Sequence, residues 1–496
     1  MFDAVQSSID SDGGVEAVRA VTQADILSGL RELGLQSGDR VLVHSSMAAL
    51  GQVEGGPDAV IEALIEAVGE EGMVVVPTFA CKPPFDRRNS ATPLGAIPDR
   101  LWRRPDAERS LHPTHSVAAV GKGAEKLIRD HEKAPTAYAE GTPYHTLATT
   151  GGKILLLGVD QDRNTTLHTA EALSGAPYLS DIKGSYIDDS GQRITIPVAA
   201  MAGPHRDFIG LDRILRDFGI VRIGTIGGAV CRLMDAGDML QTAVGLLEAD
   251  PTTVLCNNPA CADCVMQRGK IKAARLRDES FTLAAVLGDV SDDIDEAIRV
   301  LQGEGISAVE VTSAEYRAHG HVLAGRKIKI AAIQAAPDDQ SAAELAHGLN
   351  VPVIVPLNTH EDTENAIRLT RRGGARVLIT NAGSPSSYYE EIYAKSPDAP
   401  HFAFNPREFA SVGERPFLDV FYRGKLRKQM EHFYIDDGDF LDRWTPPGMG
   451  NGEVKEIISM LRCRSYDGVM TLRSPLGGAE NFLRAARAFW TLLDTM

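Results

Sequence analysis

No stretch of this 496-residue chain stays apolar for longer than a β-strand. The longest runs, such as "KILLLGV", fall far short of the ~20 residues that a membrane-spanning helix needs, so no segment is expected to cross a bilayer. The N-terminal stretch "MFDAVQSSIDSDGG" lacks a basic region followed by an apolar core, so no secretory leader is expected. Six cysteines are too few for the disulfide framework of a secreted protein, and a reducing cytoplasm is the simpler location. Basic residues are in deficit, 51 against 67 acidic, for a formal charge of -16. That balance argues against a nucleic-acid-binding body and is compatible with a cationic substrate. Low-complexity tracts and short repeats are also missing, which excludes a solenoid.

What remains is the composition of an ordinary globular protein, too long for a single domain. The charged stretch "QRGKIKAARLRDES", Gln267 to Ser280, divides it, giving expected domains over 1–270 and 271–496. Before the divide, strands ("DRVLVHSSM", "MVVVPTF", "KILLLGV") alternate with helices, including one over Pro57–Ala67 entered through Gly-Gly-Pro-Asp. This half is α/β. After the divide come eight strand candidates: "FTLAAVL", "AVEVT", "KIKIAAIQAA", "VPVIVPLN", "ARVLITNAG", "HFAFNPRE", "EHFYIDD" and "GVMTLR". Most are followed by helical patterns, which predicts a (β/α)8 barrel with any site at the strands' C-terminal ends.

The first half holds the chemistry. In "GVDQDRNTTLHTAEALSGAPY", Asn164 or Thr165 can cap a helix that places His168 in its first turn, with Glu171 one turn further on the same face. The helix dipole favours the neutral imidazole there, and the carboxylate can fix its tautomer by accepting the second ring proton. A histidine so placed suits a general base. The strand end "VHSSM" brings His44, Ser45, Ser46 and Met47 to a turn whose amides and hydroxyls can hold an anion or a pantetheine amide. The next strand ends in Pro77 and Thr78, and "HPTHSVAAVG" carries His112, His115 and Ser116.

In order and wording, "VLVHSSMAALGQVEGGPDAVIEAL", "VVVPTF", "HPTHSVAAVG", "EGTPYHTL" and "ILLLGVDQDRNTTLHTAEALSGAPY" resemble successive blocks of the aminoglycoside 3-N-acetyltransferase family, over roughly residues 20 to 270. The resemblance implies an N-acyltransferase that uses acetyl-CoA or another acyl-CoA as co-substrate. The acceptor amine attacks the thioester directly. It implies that His168 is the base, Glu171 its companion acid, and that His115 and Ser116 face the coenzyme sulfur. Ser45, Ser46 and Met47, with Thr78, line the pantetheine arm. Acidic groups that hold polycationic sugars in this family have candidates in Asp86, Asp160, Asp162 and Glu140, but "CKPPFDRR" sets Lys82, Arg87 and Arg88 beside them. The amine is therefore left as an amino sugar, an aminoglycoside-like compound or another small natural-product amine, acted on in antibiotic biosynthesis or resistance. Cys256, Cys261 and Cys264, with Cys231 as a fourth thiolate, have the types for a zinc site but only one C-x2-C pair, so packed reduced thiols are expected and no metal is assigned.

The second half resembles the xylose isomerase-like family of sugar isomerases and epimerases over about residues 280 to 496, through "GISAVEVT" and "EHFYIDDGD" to "GVMTL". That family holds a divalent metal at its strand ends. His432 and Asp436 fall on two such positions, but Arg473 stands where the final glutamate is expected, and Asn358, Asn381 and Asn405 end the middle strands. A guanidinium repels a metal ion, so the metal site is read as lost, with Arg473 and Arg407 left to bind an anionic or sugar-like ligand. The alternative is an active metal-dependent isomerase to which the first half is auxiliary. No nucleic acid or membrane partner is expected, and a homo-oligomer is left open.

Overall fold

The computed structural model describes residues 19–80, 82–177, 179–201, 205–396 and 399–496. The N-terminal stretch considered as a leader, and Cys81 and Tyr178 of the quoted motifs, lie outside the described residues. Contacts divide the chain into two compact units, Met1–Cys256 and Asn257–Met496.

The first unit is built on a seven-stranded sheet. Its order is Glu108–Arg109, Val117–Gly121, Met73–Pro77, Arg40–Ser45, Lys153–Leu157, Ala229–Asp235 and Val221–Ile226. The strand Arg40–Ser45 runs parallel to both its neighbours, Met73–Pro77 and Lys153–Leu157. These three read as unbroken apolar runs because helices cover both faces of the sheet. On one face lie Gln23–Leu33, closed by a Thr22–Asp25 capping box, and Gly56–Val68, with Pro57 in its first turn. The other face packs on Ala124–Ile128 and Pro143–Thr149. A second sheet of three strands, Phe85–Asp86, Leu179–Ile187 and Arg193–Met201, has no counterpart in the sequence reading. Its hairpin turns on Asp188, whose carboxylate accepts the amides of Ser190 and Gln192.

In the second unit all eight expected strands form, every pair parallel, and Val469–Leu472 closes on Thr282–Val286. The core between strands and outer helices is a continuous apolar layer. Inside the barrel, a smaller cluster of Ala332, Ile354, Leu378, Ala403 and Tyr434 fills the middle. Among the described residues, no helix is long and apolar enough to cross a membrane.

Candidate active site

The three central parallel strands of the first unit point their carboxyl ends to one edge. The chain leaves Arg40–Ser45 and Lys153–Leu157 towards opposite sides, and a crevice opens at such a switch point. A cavity of about 580 Å³ lies there, lined by His44, Ser45, Ser46 and Met47 from one strand end, Pro77 from the next, and His115 and His168. Gly158, at φ +70°, turns the third strand away, with no room for a side chain against Ala49 and Ala229.

His168 is the third residue of the helix Thr166–Leu173. Of the two expected caps it is Asn164 that acts, its Oδ1 accepting the Thr166 amide at 3.2 Å. Nδ1 of His168 lies 2.5 Å from Glu171 Oε2. Burial alone would raise the Glu171 carboxyl, but the charges and hydrogen bonds of His168 and Arg206 outweigh it and hold the group below its ordinary value. An ionised carboxylate only accepts, so a proton sits on Nδ1, which selects the tautomer whose lone pair is on Nε2. Arg206, absent from the sequence reading, donates from Nε to the other oxygen, Glu171 Oε1, at 2.6 Å. Both Glu171 and Arg206 are buried, while the His168 side chain remains 24% exposed at the cleft.

Aromatic rings hold the two cleft histidines. Tyr138 packs 5.1 Å from His168 and 5.0 Å from His115, Phe208 closes on His168 and Phe79 on His115. None of these rings was expected. Burial, then the nearby His168 and His131, pushes His115 down to about 3, and burial pushes His44 to about 3. Both rings are therefore neutral at physiological pH. Thr114 Oγ1 lies 3.1 Å from His115 Nδ1 and 3.3 Å from His112 Nδ1.

Two expected contacts fall elsewhere. Thr78 and Ser116 are fully buried behind the cleft, 3.2 Å apart through their hydroxyls, and neither side chain lines it. Thr78 instead anchors Arg109, which donates to its Oγ1 at 3.1 Å and to its carbonyl at 2.6 Å while stacking on Trp102. A buried cation needs such acceptors, and Thr78 supplies two of them, with the carbonyls of Ser90 and Arg87 completing the set. Of the four candidate acids, Asp162 lines the cleft beside Arg163, whereas Asp160 is tied to Arg232 at 2.8 Å and Glu140 is exposed. Asp86 is spent on its own turn, accepting from Arg88 N and Asn89. Arg87 and Arg88 both pair with Asp189 in the hairpin of the second sheet. Cys231 is buried in the sheet core with its thiol on Ala229 O at 3.5 Å, a packed residue of its strand.

The barrel mouth holds a cavity of about 620 Å³ lined by Gln334, Tyr434, Asn381, Asn405 and Arg473 among others. Beneath it the fully buried Glu310, which the sequence reading passed over, accepts from Gln334 at 2.9 Å and Tyr434 at 3.0 Å. His432 is not an open ligand position: its Nε2 lies 2.8 Å from Glu310 Oε1 and 2.9 Å from Thr471 Oγ1. Asp436 accepts from Asn405, and burial pushes it up to about 6. Of the two expected ligand arginines, Arg473 lines the mouth and pairs with Asp289 at 2.7 Å, whereas Arg407 is turned to Asp442 at 2.6 Å.

A histidine–glutamate pair at the carboxyl edge of a parallel sheet is an arrangement that can accept a proton, and it sits in an α/β unit of a type that binds small molecules at that edge. The profile of the Aminoglycoside 3-N-acetyltransferase family matches residues 42–248. Aminoglycoside N(3)-acetyltransferase IV of Salmonella sp is 35% identical over 237 residues, 47% of this chain and 90% of that protein. The crystal structure of the apoenzyme of aminoglycoside acetyltransferase AAC(3)-IVa is 33% identical, covering 50% of this chain and 97% of that one, with a TM-score of 0.47. A binary complex of AAC-IIIb with CoASH is 30% identical, covering 47% and 97%, with a TM-score of 0.44. The chain belongs, through its first half, to the aminoglycoside 3-N-acetyltransferase family. No sugar isomerase family matches the barrel, so that half is established as an eight-stranded parallel barrel and no further.

Proposed function

We propose that the first unit transfers the acetyl group of acetyl-CoA to an amine of an aminoglycoside or related amino sugar, with His168 as the general base. The observation that carries this reading is the His168–Glu171 contact of 2.5 Å at the cleft. An amine nucleophile must lose a proton as its nitrogen bonds to the acetyl carbon and the C–S bond breaks. Nε2 of His168 takes that proton, and the ring then returns it to the departing thiolate. Glu171 stabilises the imidazolium in between. The cleft fits the donor: Ser45 and Ser46 bring hydroxyls to the wall that a pantetheine arm would follow, and Met47, Pro77 and Phe79 offer an apolar wall. A neutral His115 whose Nδ1 accepts from Thr114 presents Nε2–H to the charge that develops on the thioester oxygen. Asp162 is the cleft's acid for an ammonium group of the acceptor.

The test is release of CoA thiol from acetyl-CoA with a panel of aminoglycosides, simple amino sugars and small amines. Thiol release with an amino sugar, and an acetylated product by mass spectrometry, supports the assignment. Hydrolysis alone, or no release with any amine, refutes it.

A further inference from the structure

The arginine that closes on Glu171 comes from outside every recognisable motif. It sits 35 residues downstream, two residues before the helix Phe208–Asp217. This short turn does two things at once. Arg206 donates from Nε to Glu171 Oε1 at 2.6 Å and from Nη1 to the His205 carbonyl at 2.8 Å. Two residues on, the Phe208 ring packs edge-on to His168 with centroids 5.0 Å apart. The cation, the carboxylate and the imidazole form a continuous row, Arg206–Glu171–His168, of which only the last is open to the cleft.

From this geometry we infer that Arg206 is a positioning residue that sets the working pH range of the base. A carboxylate buried to 0% exposure must have a counter-charge. With Arg206 on Oε1, Glu171 is neutralised whether His168 is protonated or not, so the imidazole is free to stay neutral and accept a proton. Without Arg206, the remaining candidate counter-charge in contact with Glu171 is the imidazolium itself. His168 would then rest protonated at neutral pH, held there by the residue meant to assist it. The other groups facing the pair do not replace the arginine. Tyr138 lies against His168 and its phenol is pushed well above the ordinary range by burial; His115 is held neutral; Phe208 carries no charge.

This inference rests on the acetyl-transfer reading, and its test separates the two. In Arg206→Gln, kcat/KM at pH 7 should fall about threefold or more, and the acid limb of its pH profile should move to higher pH by about one unit or more, so that much of the loss is regained by pH 9. Arg206→Lys, which keeps the charge, should hold the limb near its original place. In a Glu171→Gln background, where no carboxylate is left to hold the imidazolium, adding Arg206→Gln should move the limb by clearly less. The double variant also covers the case in which Arg206→Gln does not fold. A turnover-independent reading is the NMR titration of the His168 ring, assigned by comparison with His168→Asn, in the coenzyme-free protein. It should move to higher pH in Arg206→Gln alone. A uniform fall in activity across pH, an unmoved ring titration, or equal movement in both Glu171 backgrounds overturns the role of Arg206. Wild-type protein that acetylates no amine overturns the functional assignment instead, and leaves the ring titration to decide this one.

Discussion

His168, Glu171 and His115 were legible because their types and spacing match a proton-transfer task on a helix face and a strand end. Arg206 was not, because a cation in an irregular turn carries no periodic signal. Glu310 was passed over in "AVEVT" although the signal was present. Val309 and Val311 face the outer helices, so the glutamate between them must point into the barrel, where a purely structural barrel would carry an aliphatic residue. At this scale the proposed base makes the first prediction. His168→Ala should lower turnover by roughly 10²–10⁴-fold while CoA binding persists, and Glu171→Gln should cost less because it keeps the shape and one hydrogen bond. Calorimetric CoA binding beside steady-state rates checks both; a His168→Ala protein of unchanged turnover would sink the mechanism. The buried histidines make the second prediction. His44 is pushed down to about 3, His112 to about 2 and His131 to about 4, chiefly by burial. All three bind protons more readily in the unfolded chain. Their contribution is complete above about pH 6.5 and is lost progressively as pH falls towards the folded values, about 1 kcal/mol for each at pH 5.5. Urea unfolding of the first unit, followed through Trp102, should therefore show a lower midpoint at pH 5.5 than at 7.5, and the gap should narrow in His44→Leu.

The elements follow the apolar patterns closely, and the departures have local causes. The helix expected over Pro57–Ala67 spans Gly56–Val68, since Gly55 and Gly69 stop it on either side. The strand expected through Met47 ends at Ser45, because the chain turns at Ser46 into the short helix Met47–Leu50 and so wraps the cleft. The hairpin Leu179–Ile187 with Arg193–Met201 was hidden by its exposure: Asp181, Ile182 and Lys183 face solvent, so no apolar alternation marks the strand. The turn after Lys153–Leu157 carries a prediction of its own. A Cβ at Gly158 would meet Ala49 Cβ at 2.5 Å and Ala229 Cβ at 3.1 Å, on a backbone already at φ +70°. Gly158→Ala should cost about 1–3 kcal/mol of first-unit stability. It should also reduce acetyl transfer, since the same turn leads into Val159 and Asp162 of the cleft wall. An unchanged urea midpoint would show that the strand end tolerates a side chain there.

For the whole molecule, each apolar cluster among those described keeps to one unit, the larger ones to residues 26–233 and 281–493. Length and the charged stretch Gln267–Ser280 pointed to two domains and the succession of eight strands to a barrel, yet neither could say that the barrel interior is ionic. The fully buried Glu310 is held well below the ordinary carboxylate range, to about 2, although its burial acts the other way; His432 and the hydrogen bonds of Thr471 and Gln334 decide the balance. Glu310→Ala takes the buried carboxylate from His432 and the acceptor from Tyr434 and Gln334, a break that should cost the barrel about 3–5 kcal/mol. Replacing both Glu310 and His432 by leucine removes the charges together and should recover part of that loss. Because the first unit keeps its own core, hydrogen exchange should separate the two. Peptides covering Ala308–Thr312 and Met430–Ile435 should lose protection by roughly 10²–10³-fold in Glu310→Ala, while those covering Arg40–Ser45 and Lys153–Leu157 keep theirs. Acetyl transfer should continue at temperatures where the barrel has begun to open. Equal loss of protection in both sets of strands would mean that the two cores unfold as one cooperative body, and that the barrel is part of what holds the acetyl-transfer site together.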